Sequence, residues 1–330
     1  MKLTRSWLQD FVDLPDMAPA DLVGSFEQLG HEIEDWHVIE PSFTGVVIGR
    51  VLEVTPHPNA DKVRLTKVDV GDEVLDIICG AWNFEAGAIV PVAVPGAVLG
   101  GDFEITRRAI RGITSNGMIC SETELELGED ADGIMVLNGD YPAAEYSIGE
   151  PFESILSFPD IYLEINVTPN RPDCLSVYGL ARDLSALFEV PLKDHGIELE
   201  VAGDPSEISV EIDVPSLNPR FAGREVRGIT VGPSPHWMRW RLEQAGMRPI
   251  SNVVDASNYA MIEFGHPTHA FDIERLGTRI VTRLAEPGET IVTLDEQERT
   301  LHSADIVVTD GTDAVAIGGV MGGASTEVHG

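Results

Sequence analysis

Apolar residues recur along this chain with two different periods, and the switch between them divides it into segments. Leu22, Phe26 and Leu29 fall at i, i+4 and i+7, the spacing of one helical face, and Gly30 is placed to end that helix. A short strand, Leu3 to Trp7, precedes it. From Phe43 to about Gly149 the period drops to two. Val47, Gly49 and Val51 alternate, as do Val63 and Leu65, then Val68 and Val70; VLDIICG and AIVPVAV continue the pattern. HPNAD, VGDE and PGAVLGG supply turns between these runs. Short strands at such spacing predict a small closed β-barrel.

After Pro151 the mixed pattern returns. The strand-like IYLEINV leads into Thr168-Pro169-Asn170-Arg171-Pro172-Asp173, then a helix with Leu180, Leu184, Leu187 and Phe188 on one face. Asp173 is placed to cap that helix. A Gly-, Asp- and Pro-rich loop from Lys193 to Ser206 marks a boundary. Beyond it, Ser234-Pro235 predicts a capped helix ending near Gly246, and a second helix spans about Val253 to Glu263 and stops at Gly265. RIVTRL, ETIVTL, DIVVTD and AVAIGG then predict strands. The expected fold class is α+β and multidomain: a split α/β domain (1–38 and 152–200), an inserted barrel of the oligonucleotide/oligosaccharide-binding (OB) type (39–151), and an α+β domain (201–330).

Composition narrows the surroundings more than the activity. The chain of 330 residues is 43% hydrophobic and has no run long enough to span a membrane. Its N-terminus is interrupted by Gln9, Asp10 and Asp13 and so lacks a signal peptide's apolar core. Three widely spaced cysteines, Cys79, Cys120 and Cys174, suit a reducing cytoplasm rather than a disulfide framework. The net charge is −33, and four of the 22 basic residues are lysines, so no broad basic face is available for nucleic acid. Any such contact must be local, and Arg107, Arg108 and Arg111 are the clustered cations of the barrel.

Three motifs in the barrel region come in a fixed order: His57-Pro-Asn-Ala-Asp61-Lys62, Cys79-Gly80-Ala81-Trp82-Asn83, and Ile110 to Ser121, which contains Ser115-Asn116. Taken singly, each is ordinary loop chemistry. Together they resemble the tRNA-binding barrel appended to several synthetases, which implies RNA contacts from Arg107, Arg108, Arg111, Ser115 and Asn116. Residues 161–188 then resemble the β subunit of bacterial phenylalanine–tRNA ligase. That family begins with a split domain flanking an inserted barrel, so the resemblance implies that residues 1–38 and 152–195 pack together, with Arg171 and Asp173 as structural residues.

The third region resembles the same family's editing domain, which hydrolyses tyrosine wrongly attached to tRNA(Phe). The resemblance rests on the stretch Gly246 to Tyr259, on Gly265-His266-Pro267-Thr268-His269-Ala270-Phe271-Asp272, and on Gly318-Gly319-Val320-Met321-Gly322-Gly323. It implies Arg248, Asn258 and His269 as site residues. Ser257 supplies a hydroxyl where many members have threonine, and Pro267, Gly318, Gly319 and Gly322 form the pocket wall. Ester hydrolysis needs a positioned water and polar groups around the carbonyl, and this set provides them without an activated nucleophile. His266 and His269 with Asp272 do not make a convincing metal site, because Pro267 disfavours a shared helical face and a fourth ligand is lacking. The glycine loop lacks the Lys-Ser/Thr of a phosphate-binding loop.

The family's tyrosine-recognising glutamate would lie past Gly330, so the expected editing domain is incomplete at its C-terminus. The resemblance further implies an α2β2 heterotetramer, tRNA(Phe) as partner, and ATP and Mg2+ used by the complete enzyme but not bound by this chain. The other reading of the sequence is a non-catalytic, stand-alone tRNA-binding or assembly module.

Overall fold

The computed structural model describes residues 1–140, 146–194, 196, 203 and 205–329. The expected boundary at 200/201 lies outside the described residues. By packing, the chain divides into two units: Met1–Asp194 with Pro235–Arg248 and Ile262–Gly265, and His195–Ser234 with Pro249–Met261 and His266–Gly330.

The first unit opens with a three-stranded antiparallel sheet. Asp160–Asn166 lies at its centre, between Lys2–Thr4 and Glu32–Ile39, so both flanks of the intervening segment contribute strands. Leu3 pairs with Leu163, and Leu163 with Trp36. Helices Arg5–Gln9, Pro19–Gln28 and Val177–Phe188 bring Trp7, Leu8, Leu22, Phe26, Leu180 and Leu184 into the core, each fully buried. Burying side chains of this size stabilises by about 1.5–3 kcal/mol apiece.

Two local expectations need correcting here. Trp7 is helical rather than extended, because the Thr4 hydroxyl accepts the Trp7 N–H and starts a helix after only three strand residues. Ser176, not Asp173, caps the helix Val177–Phe188: its hydroxyl accepts the Gly179 N–H at 3.0 Å. The Asp173 carboxylate is drawn away by Arg171, whose Nε and Nη2 donate to it at 3.1 and 2.9 Å.

Between these flanks, a six-stranded antiparallel sheet runs in the order Met118–Ile119, Ile89–Leu99, Thr44–His57, Ala60–Asp69, Val74–Cys79, with Phe103–Glu104 also on Ile89–Leu99. Register shifts bend the long strand Thr44–His57. The far side of Val74–Cys79 meets the segment 113–116: the Asn116 N–H donates to the Asp76 carbonyl at 2.9 Å, and the Ile78 N–H to the Ser115 hydroxyl at 3.0 Å.

The helix His236–Gln244 packs in this first unit, whereas its sequence position suggested the third domain. Charge and apolar packing both fix it, with Trp237 and Trp240 lying against the core around Phe43, Leu127 and Phe152. Arg239 makes a two-pronged ion pair with Glu122, Arg241 reaches Asp10 at 2.5 Å, and Leu242 is its only fully buried apolar side chain. The Ser234 hydroxyl donates to Asp255 at 2.5 Å, and the first N–H of the helix, that of His236, is accepted by the Asp140 carboxylate at 3.0 Å. Helices end where expected, at Gly30, Gly246 and Gly265, all with positive φ.

The second unit holds a five-stranded sheet, ordered Ser209–Ile212, Arg279–Leu284, Ile306–Thr309, Ala314–Ile317, Met321–Gly322. Its first pair is parallel and the rest antiparallel. A ribbon of Thr290–Val292 and Glu298–Thr300 accompanies it. Two small apolar clusters, around Val308 and Val315 and around Val307 and Ile291, form its core. No helix among the described residues is long and apolar enough to cross a membrane.

Candidate functional site

The second unit brings together three of the segments picked out by sequence. Ser257 and Asn258 lie on the helix Asn252–Phe264. The Ser257 hydroxyl donates to the Thr268 carbonyl at 3.0 Å and lies equally far from the Thr268 hydroxyl, tying the helix to the loop that carries Pro267 and His269. That loop is stitched in turn to the chain after the glycine turn, because the Asp272 N–H donates to the Thr326 carbonyl at 3.0 Å. Phe271 packs into the apolar cluster of Leu276, Ile280, Val308 and Val315, and its ring meets His269 edge-on with centroids 4.5 Å apart.

The glycine turn explains itself where it meets the imidazole. A Cβ at Gly322 would lie 2.3 Å from His269 Cε1 and 2.6 Å from Nε2, so only bare backbone admits the ring. Gly318 donates its N–H to the Ile306 carbonyl at 2.8 Å, and Gly319 takes φ +71° to close the turn between Ala314–Ile317 and Met321–Gly322. Neither the His269 ring nor the Asn258 amide has a hydrogen-bond partner among the described residues. Burial against these neighbours lowers the His269 pKa, which keeps the imidazole neutral near pH 7. Neutral imidazole can accept a proton from water, and a half-buried amide free of protein partners among the described residues can hold a carbonyl or a water beside it.

Arg248 falls in the first unit, as the last residue of Pro235–Arg248, and is exposed without an ion pair among the described residues. In the sheet region of that unit, Arg107, Arg108 and Arg111 are exposed around the hairpin of Arg108–Ile110 and Ile113–Ser115, again with no acidic partner among the described residues. Ser115 does not join them. It is 4% exposed, and its hydroxyl accepts the Ile78 N–H and donates to the Gly117 carbonyl, so it fastens the hairpin from within. The Asn116 side chain instead lines a cavity of about 460 Å³ with Thr55, Leu65, Lys67, Ile77 and Thr114.

Sequence reasoning missed one cluster. His31, Cys174 and Asp183 place possible ligand atoms within 4.8 Å of one another. The position a metal would take is already occupied by a cation: Arg171 Nη2 lies 2.9 Å from Cys174 Sγ and 2.8 Å from Asp183 Oδ2. Burial pushes the Cys174 thiol up to about 12, and the Arg171 guanidinium holds Asp173 down at about 2. The Cys174 thiol is therefore protonated near pH 7 in this arrangement, in which Arg171 supplies the positive charge. The separation of His31 from Asp183 by 152 residues leaves no spacing signal in the sequence.

A family described as "B3/4 domain" matches residues 217–330, and one described as "Putative tRNA binding domain" matches residues 46–145. The phenylalanine–tRNA ligase β subunit of Syntrophus aciditrophicus is 42% identical over 99% of this chain and 40% of its own length. Those of Oleidesulfovibrio alaskensis and Geobacillus kaustophilus are 45% identical over the whole chain and 41% and 42% of their lengths. The chain thus spans about two fifths of the length of these relatives. With all of its length matched at this identity, the chain belongs to the phenylalanine–tRNA ligase β-subunit family.

Proposed function

We propose that this chain serves as part of the β subunit of a phenylalanine–tRNA ligase, and that its second unit hydrolyses Tyr-tRNA(Phe). The observation that carries the second point is the His269 imidazole. It is exposed to solvent on one side, lacks a hydrogen-bond partner among the described residues, and is seated on the one residue that leaves it room, Gly322. Here a water hydrogen-bonded to neutral His269 attacks the ester carbonyl of the mischarged tRNA, while the Asn258 amide and the Ser257 hydroxyl position the reacting groups. Arg248, on the first unit, is a further candidate contact for a tRNA phosphate. Pro267, Gly318 and Gly319 complete the wall beside the aminoacyl group. No covalent intermediate is needed.

In this reading the inserted sheet is an OB barrel that touches RNA through Arg107, Arg108 and Arg111, and the remainder of the subunit pairs with an α subunit in an α2β2 enzyme of the cytoplasm. ATP and Mg2+ then belong to aminoacylation by the complete enzyme, and this chain supports that reaction without binding them. A second reading, a non-catalytic tRNA-binding or assembly module, draws on the same three exposed arginines. Deacylation separates the two. The ligase purified with its α subunit is expected to release tyrosine from Tyr-tRNA(Phe) and to spare Phe-tRNA(Phe). His269→Ala should lose that activity. Retardation of tRNA without any deacylation would favour the binding module.

A further inference from the structure

We propose that Trp82 is a stacking platform for an unpaired RNA base; the inference rests on the reading that the barrel binds RNA. Trp82 is 61% exposed, although burying such a ring is among the most favourable things a fold can do. It is nonetheless held in place. Arg64, on the strand Ala60–Asp69 and opposite Cys79, is 5% exposed, and its guanidinium carbon lies 4.9 Å from the Trp82 ring centroid and 4.4 Å from that of Phe84. Arg64 Nη2 donates to the Ala81 and Phe84 carbonyls at 3.0 and 2.9 Å, and Nη1 to Glu85 at 3.5 Å. Its Nε is buried and has no partner among the described residues. The next residue of the loop, Asn83, is fixed as well: its side chain donates to the Ile134 carbonyl at 2.8 Å and accepts the Ile134 N–H at 3.1 Å.

A planar cation therefore backs one face of the indole, and the loop on either side of it is anchored. The other face is left to solvent. A rigid, half-covered aromatic is the element on which single-stranded nucleic acids stack, and a cation beside it meets the phosphate. Lys62 supplies that cation. It precedes Arg64 by two positions on the same strand, and so shares its face; its carbonyl lies 3.9 Å from where a Cβ of Gly80 would be, close to the Trp82 loop. Lys62 is exposed and has no ion-pair partner among the described residues. In a chain with a net charge of −33 and only four lysines, an exposed tryptophan next to one of them is a local complement to RNA rather than part of a general basic surface.

The test is binding of fluorescently labelled tRNA(Phe) transcript and of oligo(rA), read by anisotropy across a salt series. Trp82→Ala is expected to weaken binding of both about 5- to 150-fold, the cost of losing one base–aromatic stack. Trp82→Phe should keep most of the affinity, and Lys62→Ala should lower the salt dependence by about one phosphate contact. Because Trp82 is exposed, thermal unfolding of Trp82→Ala should match that of the parent, which separates loss of a platform from loss of fold. RNA binding by the parent that Trp82→Ala leaves unchanged would overturn the platform and leave the barrel's RNA reading standing. A parent chain that binds neither RNA would overturn both. Loss of α-subunit association in Trp82→Ala, with RNA binding intact, would reassign the surface to a protein partner and overturn the proposal.

Discussion

Two histidines of this chain differ in what their neighbourhoods leave undone. Around His31, an imidazole, a thiol, two carboxylates and a guanidinium meet, and every one of them finds a partner. His31 Nε2 pairs with Asp183 at 2.9 Å, and Arg171 spans Asp173, Asp183 and Cys174. Burial pushes the Asp183 pKa up, but the hydrogen bonds from His31 and Arg171 outweigh it and hold the carboxylate ionised. The His269 ring and the Asn258 amide, by contrast, have no partner among the described residues, while the Ser257 hydroxyl is held by Thr268. Reactive residue types in a cluster therefore say little by themselves. A set whose hydrogen bonds are complete holds the chain together, and a set with open donors and acceptors has something left to offer a substrate.

The strongest way to break this contrast is to remove the second imidazole. His269→Ala is expected to lower Tyr-tRNA(Phe) deacylation by about 100-fold or more while leaving the unfolding midpoint within error. Retained activity would place the chemistry elsewhere. Asp183→Ala should do the reverse: a loss of about 1–3 kcal/mol in denaturant unfolding, discounted for partial exposure, with deacylation unchanged. Ser176→Ala tests the corrected cap and should cost about 1 kcal/mol, more than Asp173→Ala, because Arg171 keeps Asp183 when Asp173 is gone.

The smallest effect is in pH. The folded pKa of His269 is lowered from the unperturbed value of about 6.5, so the unfolded chain takes up the proton first as pH falls. This contribution to stability is therefore full above that value and lost as pH drops through the folded pKa. An NMR titration of the His269 ring should show a midpoint below about 6.5.

The elements legible in sequence were those set by local chemistry. Leu22 and Phe26 are buried as their spacing predicts, and glycines end the helices where their positive φ is needed. The segments carrying Ser257, Asn258, Pro267, His269, Gly318 and Gly319 were likewise named from their motifs. What could not be read was anything decided by distant partners. Asp173 lost the cap to Ser176 because Arg171 claims its carboxylate, and Ser115 is turned inward by the Ile78 N–H. The helix His236–Gln244 follows its charges to Glu122 and Asp10 rather than its neighbours in sequence. The approach of His269 to Gly322 is likewise a property of the folded sheet, with no trace in spacing.

The sheet whose central strand is Asp160–Asn166 also sets an order of events during synthesis. Lys2–Thr4 and Glu32–Ile39 pair with that strand and not with each other, so neither has a ladder partner until it has left the ribosome. By then every strand of the inserted sheet, from Thr44 to Ile119, has already emerged. Closing contacts such as Leu3 with Leu163 are therefore made after the inserted sheet, across a loop whose entropy has been reduced by structure formed within it. Lys2–Thr4 thus finds its ladder partner only after the chain has been made through Asn166.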